Sequence, residues 1–145
     1  MARYRIARRT TNTTSGQAAM DVAISTGARL KVLEWLITLA AATASTYALN
    51  RASALGTRTT PTALLAEDAA DPAPTGIMLV DSALAHSVQP TLAAEHLERV
   101  SLPATIGQGI LWTFPVPLAI AVSLSLVLQN LAANGALDSR VTIDD

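Results

Sequence analysis

His86 and His96 are the only imidazoles in the chain, so any histidine-based acid–base, relay or metal chemistry must run through them. A Ser–His–Asp relay needs a serine held against an imidazole with a carboxylate behind it. Several serines and aspartates are present, but no GxSxG elbow marks a nucleophile. The two histidines with Asp68, Asp71 or Asp81 could offer metal ligands; their spacing follows no metal-binding pattern, and loop or strand-edge histidines are the better reading. Glu67, Asp68 and Asp71 sit beside prolines. A Ca²⁺ loop wants more oxygen donors at regular spacing with a turn glycine, so this cluster reads as a solvated turn. Gly107-Gln108-Gly109 lacks the third glycine and the helix of a phosphate cradle, and is expected to ease the start of a strand. The expectation is a protein with no catalytic residue, no metal and no cofactor.

The most suggestive polar feature is Arg3, Arg5, Arg8 and Arg9, crowded into the first nine residues. Four guanidinium groups could pair with phosphates, each contact adding a salt-dependent increment. Only Tyr4 supplies an interleaved aromatic, so docking on an acidic protein surface ranks above nucleic acid. Arg8-Arg9 is followed by TTNTTSGQAAMD, which has no apolar core, so this end does not read as a signal peptide. Asn12-Thr13-Thr14 is a glycosylation sequon that matters only in a secreted protein.

The elements that must position these groups are limited by composition. A chain of 145 residues fits one domain, 1–145, with residues 1–15 as a basic arm or first strand. There is no cysteine, so neither disulfides nor thiolate ligation can help the core. The formal net charge of −1 sets up no field favouring nucleic acid or an anionic membrane.

From Val100 to Leu137 no side chain is charged. A membrane helix needs about 20 apolar residues, but Pro115 and Pro117 interrupt this run and only Leu118 to Leu128 follows before Gln129 and Asn130. Within it Leu118, Ile120, Val122, Leu124, Leu126 and Leu128 alternate with smaller residues at period two, the period of a strand. The expectation is no membrane span but a strand, with those six large side chains, together with Trp112 and Phe114, packing a sheet or a subunit contact.

The same period marks RYRIA, where Tyr4 and Ile6 alternate with arginines. It also marks Met20, Val22 and Ile24, expected to give one buried face. Residues 29–42 fit either a helix or a strand buried on both faces, and the strand is favoured. Tyr47 and Leu49 share one face of a further strand, TRTTPT reads as a loop, and LLAEDAADPAPTG as a turn-rich connection. Short strands are expected at 77–81, 96–102, 107–114 and 139–144, with Asn134-Gly135 as a hairpin turn before the last. The total is about eight or nine short strands and no long amphipathic helix: an all-β, single-domain sandwich of jelly-roll type.

RVSLPATIGQGILWTFP followed by SLVLQNLAANGALDSRVTIDD, with the earlier RLKVLEWLITLAAATASTYALNR and LLAEDAADPA, resembles small structural proteins of tailed bacteriophages. The likeness covers most of the chain, and no single motif in it is chemically diagnostic. It departs from the pattern at PVPLAIAVSLSLVLQN, where relatives often carry Gly or Pro turns and an aromatic. The resemblance implies a jelly-roll or tumour-necrosis-factor-like sandwich on the virion surface, often a trimeric decoration or cement protein bound to the major capsid protein. Under that reading Arg3, Arg5, Arg8 and Arg9 are the capsid-docking element. The rivals are a head–tail, baseplate or fibre component that recognises a host surface, and a small carbohydrate-binding or hydrolase jelly roll using His86 or His96.

Overall fold

The computed structural model describes residues 2–10, 14–24, 29–59, 61–73, 86–132 and 135–144, and the backbone of 78–82. In chain order the strands are β1 (Arg3–Thr10), β2 (Ala18–Ile24), β3 (Leu30–Leu39), β4 (Ser45–Ala54), β5 (Thr57–Arg58), β6 (Thr62–Ala63) and β7 (Leu65–Ala66). They continue as β8 (Met78–Ser82), β9 (His86–Val88), β10 (Thr91–Leu92), β11 (Glu98–Leu102), β12 (Gly109–Ile120), β13 (Ser125–Ala132) and β14 (Leu137–Asp144). The protein is all-β, as its alternating pattern requires. Nine strands have five or more residues, and the other five are short pieces inside stretches that read as loops, TRTTPT among them.

Two sheets pack against each other. Sheet one has the order β12-β3-β14-β1-β7; sheet two has β10-β4-β13-β2-β8-β6, with β11 also bonded to β4. Most successive long strands alternate between them: β1, β3, β12 and β14 lie in sheet one, and β2, β4, β11 and β13 in sheet two or on its edge, while β4, β8 and β11 follow one another without leaving sheet two. One shared core results, with Tyr4, Ile6, Val32, Trp35 and Ile37 on one side and Met20, Val22, Tyr47, Leu49 and Leu126 on the other. Each fully buried large aliphatic side chain contributes about 1.5–3 kcal/mol against the entropy of ordering it. Among the described residues no helix is long and apolar enough to cross a membrane.

Residues 29–42 resolve as strand β3 followed by a bend, and the reason their pattern was ambiguous is a bulge. Glu34 pairs with Thr142 and Val32 with Ile143, leaving Leu33 unmatched. An extra residue reverses the inward parity. Leu30 and Val32 therefore point into the core on one phase, and Trp35, Ile37 and Leu39 on the other. The opposite face is half-buried rather than buried as expected. Trp35 sits opposite Trp112 on one side and Val141 on the other. Its indole Nε1–H donates to Ser139 Oγ at 2.7 Å in the core.

The uncharged run divides differently from the expected single strand over Leu118 to Leu128. β12 carries both prolines on the edge of sheet one, where a missing N–H costs no ladder bond. Phe114 to Pro117 bulge outward opposite Leu33, so that Thr113 pairs with Glu34 and Leu118 with Val32. The chain then turns at Ala121–Leu124, with Ser123 at φ 63°, and crosses to sheet two as β13. Ile120, Leu126 and Leu128 are buried, and Phe114 and Leu118 pack on the core while partly exposed. Val122 and Leu124 do not join it. They occupy the turn and are 41% and 38% exposed. The even spacing ran unbroken through a corner because Ile120 faces the core from one sheet and Leu126 faces it from the other.

Three further expectations change. β13 and β14 belong to different sheets, so the turn between them is a second corner rather than a hairpin; Asn134 itself lies outside the described residues. β2 is buried on both faces, not one. The strand expected at 77–81 is β8, with Ile77 outside the described residues, as are Asn12 and Thr13 of the sequon.

Replacing Ser139 by Ala strands the Trp35 N–H in the core. Chemical denaturation is expected to show a loss of about 1–3 kcal/mol, and a variant as stable as the parent would contradict this role for the bond.

Candidate functional site

The two sheets differ in what lies on their outer faces. Sheet two is covered by its own chain. Asp21 points outward from β2, and both its oxygens accept hydrogen bonds from Arg58 of β5, through Nε and Nη2. His86 of β9 brings Nε2 to 3.5 Å from Asp21 Oδ1, and its side chain is fully buried with that of Asp21. β5 and β9 pair only with each other among the described residues, so this cluster pins their ribbon onto the sheet. Gln89 Oε1 adds a 3.0 Å bond from the Ala18 amide, and Leu92 packs on Ala18, Ala52 and Val127 to form a second small apolar cluster.

His96 is used in a separate polar chain. Its Nδ1 lies 2.9 Å from Asn50 Oδ1, where the ring N–H donates, and Asn50 Nδ2 donates to Gln129 Oε1 at 2.7 Å. The two histidines thus face different partners. Neither lines the hollow of 330 Å³ where Arg3, Glu67, Asp68, Asp71 and Asp144 meet. Asp68 caps its own turn, with Oδ1 accepting from the Ala70 amide at 2.9 Å. Among the described residues no group of three or more histidines and carboxylates is placed to hold a metal. In Gly107-Gln108-Gly109 the first glycine adopts φ 82°, and a Cβ on the last would collide with the Ile37 carbonyl, so the pair shapes the start of β12.

The outer face of sheet one has no such cover among the described residues, and it carries three of the four arginines. They do not lie on a loose arm: β1 is an interior strand, bonded to β14 along its length and to β7 at Tyr4 and Arg5. Because Tyr4 and Ile6 take the core side, Arg3, Arg5 and Arg9 take the other. Register then sets three rows across β12, β3, β14 and β1: Gly109, Thr38, Asp138, Arg9; Leu111, Leu36, Arg140, Ala7; and Thr113, Glu34, Thr142, Arg5.

Within these rows the charges are largely paired. Arg9 makes a two-pronged contact with Asp138, Nε to Oδ1 and Nη2 to Oδ2, both at 2.7 Å. Arg5 meets Glu67 at 2.6 Å, and Arg140 stands 3.9 Å from Glu34. Arg8 Nη1 donates to Thr62 Oγ1 at 2.7 Å. The basic cluster of the sequence is thus dispersed and largely neutralised by carboxylates that lie far away along the chain. The middle row is apolar at Leu111 and Leu36 on the β12 side, with Arg140 separating them from Ala7. Beside it a cavity of 270 Å³ opens where Arg3 and Arg5 face Phe114 and Pro115. Of the two aromatics also singled out by the sequence, Trp112 is buried in the core, while Phe114, in the bulge, packs against the core and lines this cavity.

Asp21 and Arg58 are the residues that sequence reading missed. Their signal was a lone carboxylate inside the otherwise apolar AAMDVAI, at a position assumed to face water. A carboxylate buried on an outer sheet face requires a covering element with a cation.

Two outcomes follow from these contacts. Asp21→Asn leaves a buried guanidinium without its counter-charge, and unfolding measurements are expected to show a loss of about 3–5 kcal/mol; a loss within error would contradict the pinning role. The hydrogen bond from Arg9 holds the Asp138 carboxyl below its ordinary 3.8, against partial desolvation and with Coulombic help from the same guanidinium. A depressed carboxyl stabilises above its unfolded value and loses that contribution as pH falls through its folded one. The melting-temperature gap between the parent and Asp138→Asn should therefore be open at neutral pH and close in acid below 3.8; a gap independent of pH would contradict the pairing. Compared with known proteins, the chain matches no family model, no curated protein and no solved structure.

Proposed function

We propose that the chain is a non-enzymatic structural protein of a tailed-bacteriophage virion, which binds the outer surface of the capsid and stabilises the shell. The major capsid protein is its partner, and a homotrimer is its working form. The observation that carries this reading is the contrast between the two outer faces. One is sealed by the chain's own ribbon, while the other offers an apolar pair, Leu111 and Leu36, flanked by largely paired charges. Charges paired within a subunit can be covered by a partner without leaving a buried ion unmatched, the costliest event in forming a polar interface.

The strand order supports a jelly-roll reading. Within the larger sheets the order β1-β14-β3-β12 lies against β2-β13-β4-β11, eight long strands that change sheet at each step except from β4 to β11. Both histidines have structural partners, which fits a binding module better than a hydrolase. Stabilisation comes from spanning neighbouring shell subunits, because a specific interface of about 1,200–2,000 Å² must be broken before they separate. Arg3 and Arg5, at the β1–β7 side of the face, dock the shell.

Stripping and re-adding the protein tests this. Particles without it should rupture at a lower temperature and recover on re-addition, with Arg3→Glu/Arg5→Glu protein failing to restore them. An unchanged rupture temperature, or a few copies confined to one vertex or the tail, would overturn the shell-stabilising role.

A further inference from the structure

We infer that Lys31 and Arg3 receive carboxylate side chains from an acidic segment of the shell protein. The inference rests on the shell-binding function proposed above and names the chemistry of the partner's contact. Beyond the Leu33 bulge, register gives the outer face of sheet one a fourth row: Ala119 of β12, Lys31 of β3, Asp144 of β14 and Arg3 of β1. Leu30, Val32, Ile143 and Tyr4 take the core, so Lys31, Asp144 and Arg3 beside them point outward. Arg51 of β4 reaches the same row from sheet two, and its Nη1 donates to the Ala119 carbonyl at 2.8 Å. Three cations therefore stand around one carboxylate.

Elsewhere on the face the cations are matched: Arg9 by Asp138, Arg5 by Glu67 and Arg140 by Glu34. In this row, among the described residues, neither Lys31 nor Arg3 makes an ion pair, and Asp144 between them makes none either. On its far side Arg3 borders the hollow of Glu67, Asp68 and Asp71. Glu67 is taken by Arg5 and Asp68 by its own turn, and none of the three pairs with Arg3. Water solvates such cations while the face is free. A partner that covers them must bring opposite charge, because an ion buried without one is heavily penalised. Spacing selects the kind of anion. Lys31 and Arg3 stand two strands apart, about 10 Å, with Asp144 between them and Glu34 in the next row. A nucleic-acid backbone laid along the row would run its phosphates over Asp144. Separate acidic side chains on a folded partner can reach each cation and leave Asp144 alone. Beside Arg3 the 270 Å³ cavity adds Phe114 and Pro115 as an apolar wall, which suits an acidic residue with an apolar neighbour.

Lys31 is the only lysine in the chain, which makes it its own reporter. A carbodiimide joins an amine to a carboxylate without a spacer. Treating decorated particles with it should link Lys31 to an Asp or Glu of the shell protein, read by mass spectrometry of the joined peptides. Lys31→Gln and Arg3→Gln should each lower affinity for stripped particles by about tenfold or more. Both variants should keep the parental melting temperature, since neither side chain has an ion pair to lose, and this separates lost binding from lost folding. Arg99→Gln, on β11 at the sheet-two side, should bind as the parent does. A parent that does not bind stripped particles would overturn the shell-binding function itself. A parent that binds and stabilises them, with Lys31 unlinked to the shell and both variants binding fully, would overturn this inference alone. Retention of the parent on DNA-cellulose that Lys31→Gln abolishes would also overturn it, since the row would then be reading phosphates.

Discussion

The ion pair of Asp21 with Arg58 decides which surface of this protein is available. A carboxylate on an apolar strand, buried with its guanidinium, costs several kcal/mol in desolvation and is held by the two hydrogen bonds and by His86. Two apolar residues of similar size would serve stability as well. What the polar cluster adds is register: Arg58 can meet Asp21 in one position only, and with it the β5–β9 ribbon is fixed over sheet two. Sheet two is thereby closed on both sides, and among the described residues only sheet one keeps an uncovered outer face.

Sheet one answers the opposite requirement. Its outer face must stay soluble when free and still be coverable. Cross-strand pairing achieves this: β1 and β14 run antiparallel in full register, setting Arg9 beside Asp138, and β7 on the other side of β1 places Glu67 within reach of Arg5. Such pairs contribute little to folding while exposed. Their effect is to lower the cost of removing the face from water, since Arg5, Arg9 and Arg140 each carry a carboxylate partner with them. The neighbouring Leu111 and Leu36 can then act as the adhesive element.

Period-two alternation was enough to identify an all-β protein and to place most strands, because a buried face imposes it on every strand. It was blind to sheet membership. The large residues from Leu118 to Leu128 kept their phase across a corner, and the pattern gave no sign that Val122 and Leu124 would emerge. The Leu33 bulge had the reverse effect, making one strand look apolar on both faces. The binding face was half legible: the arginines stood out, but their neutralisation did not, since Glu67 and Asp138 lie some 60 and 130 residues away from β1 along the chain. Short loop strands such as β5 escaped notice because two-residue pairings leave no periodic trace.

The central claim is that sheet one's outer face is the working surface and sheet two's cover is not. Hydroxyl-radical footprinting of the free protein against the particle-bound protein tests it most directly. The account predicts that Leu36, Leu111 and Val116 lose reactivity on the particle while Val88 and Leu97, on the sheet-two side, keep theirs. Protection of Val88 and Leu97 with Leu36, Leu111 and Val116 still reactive would contradict it.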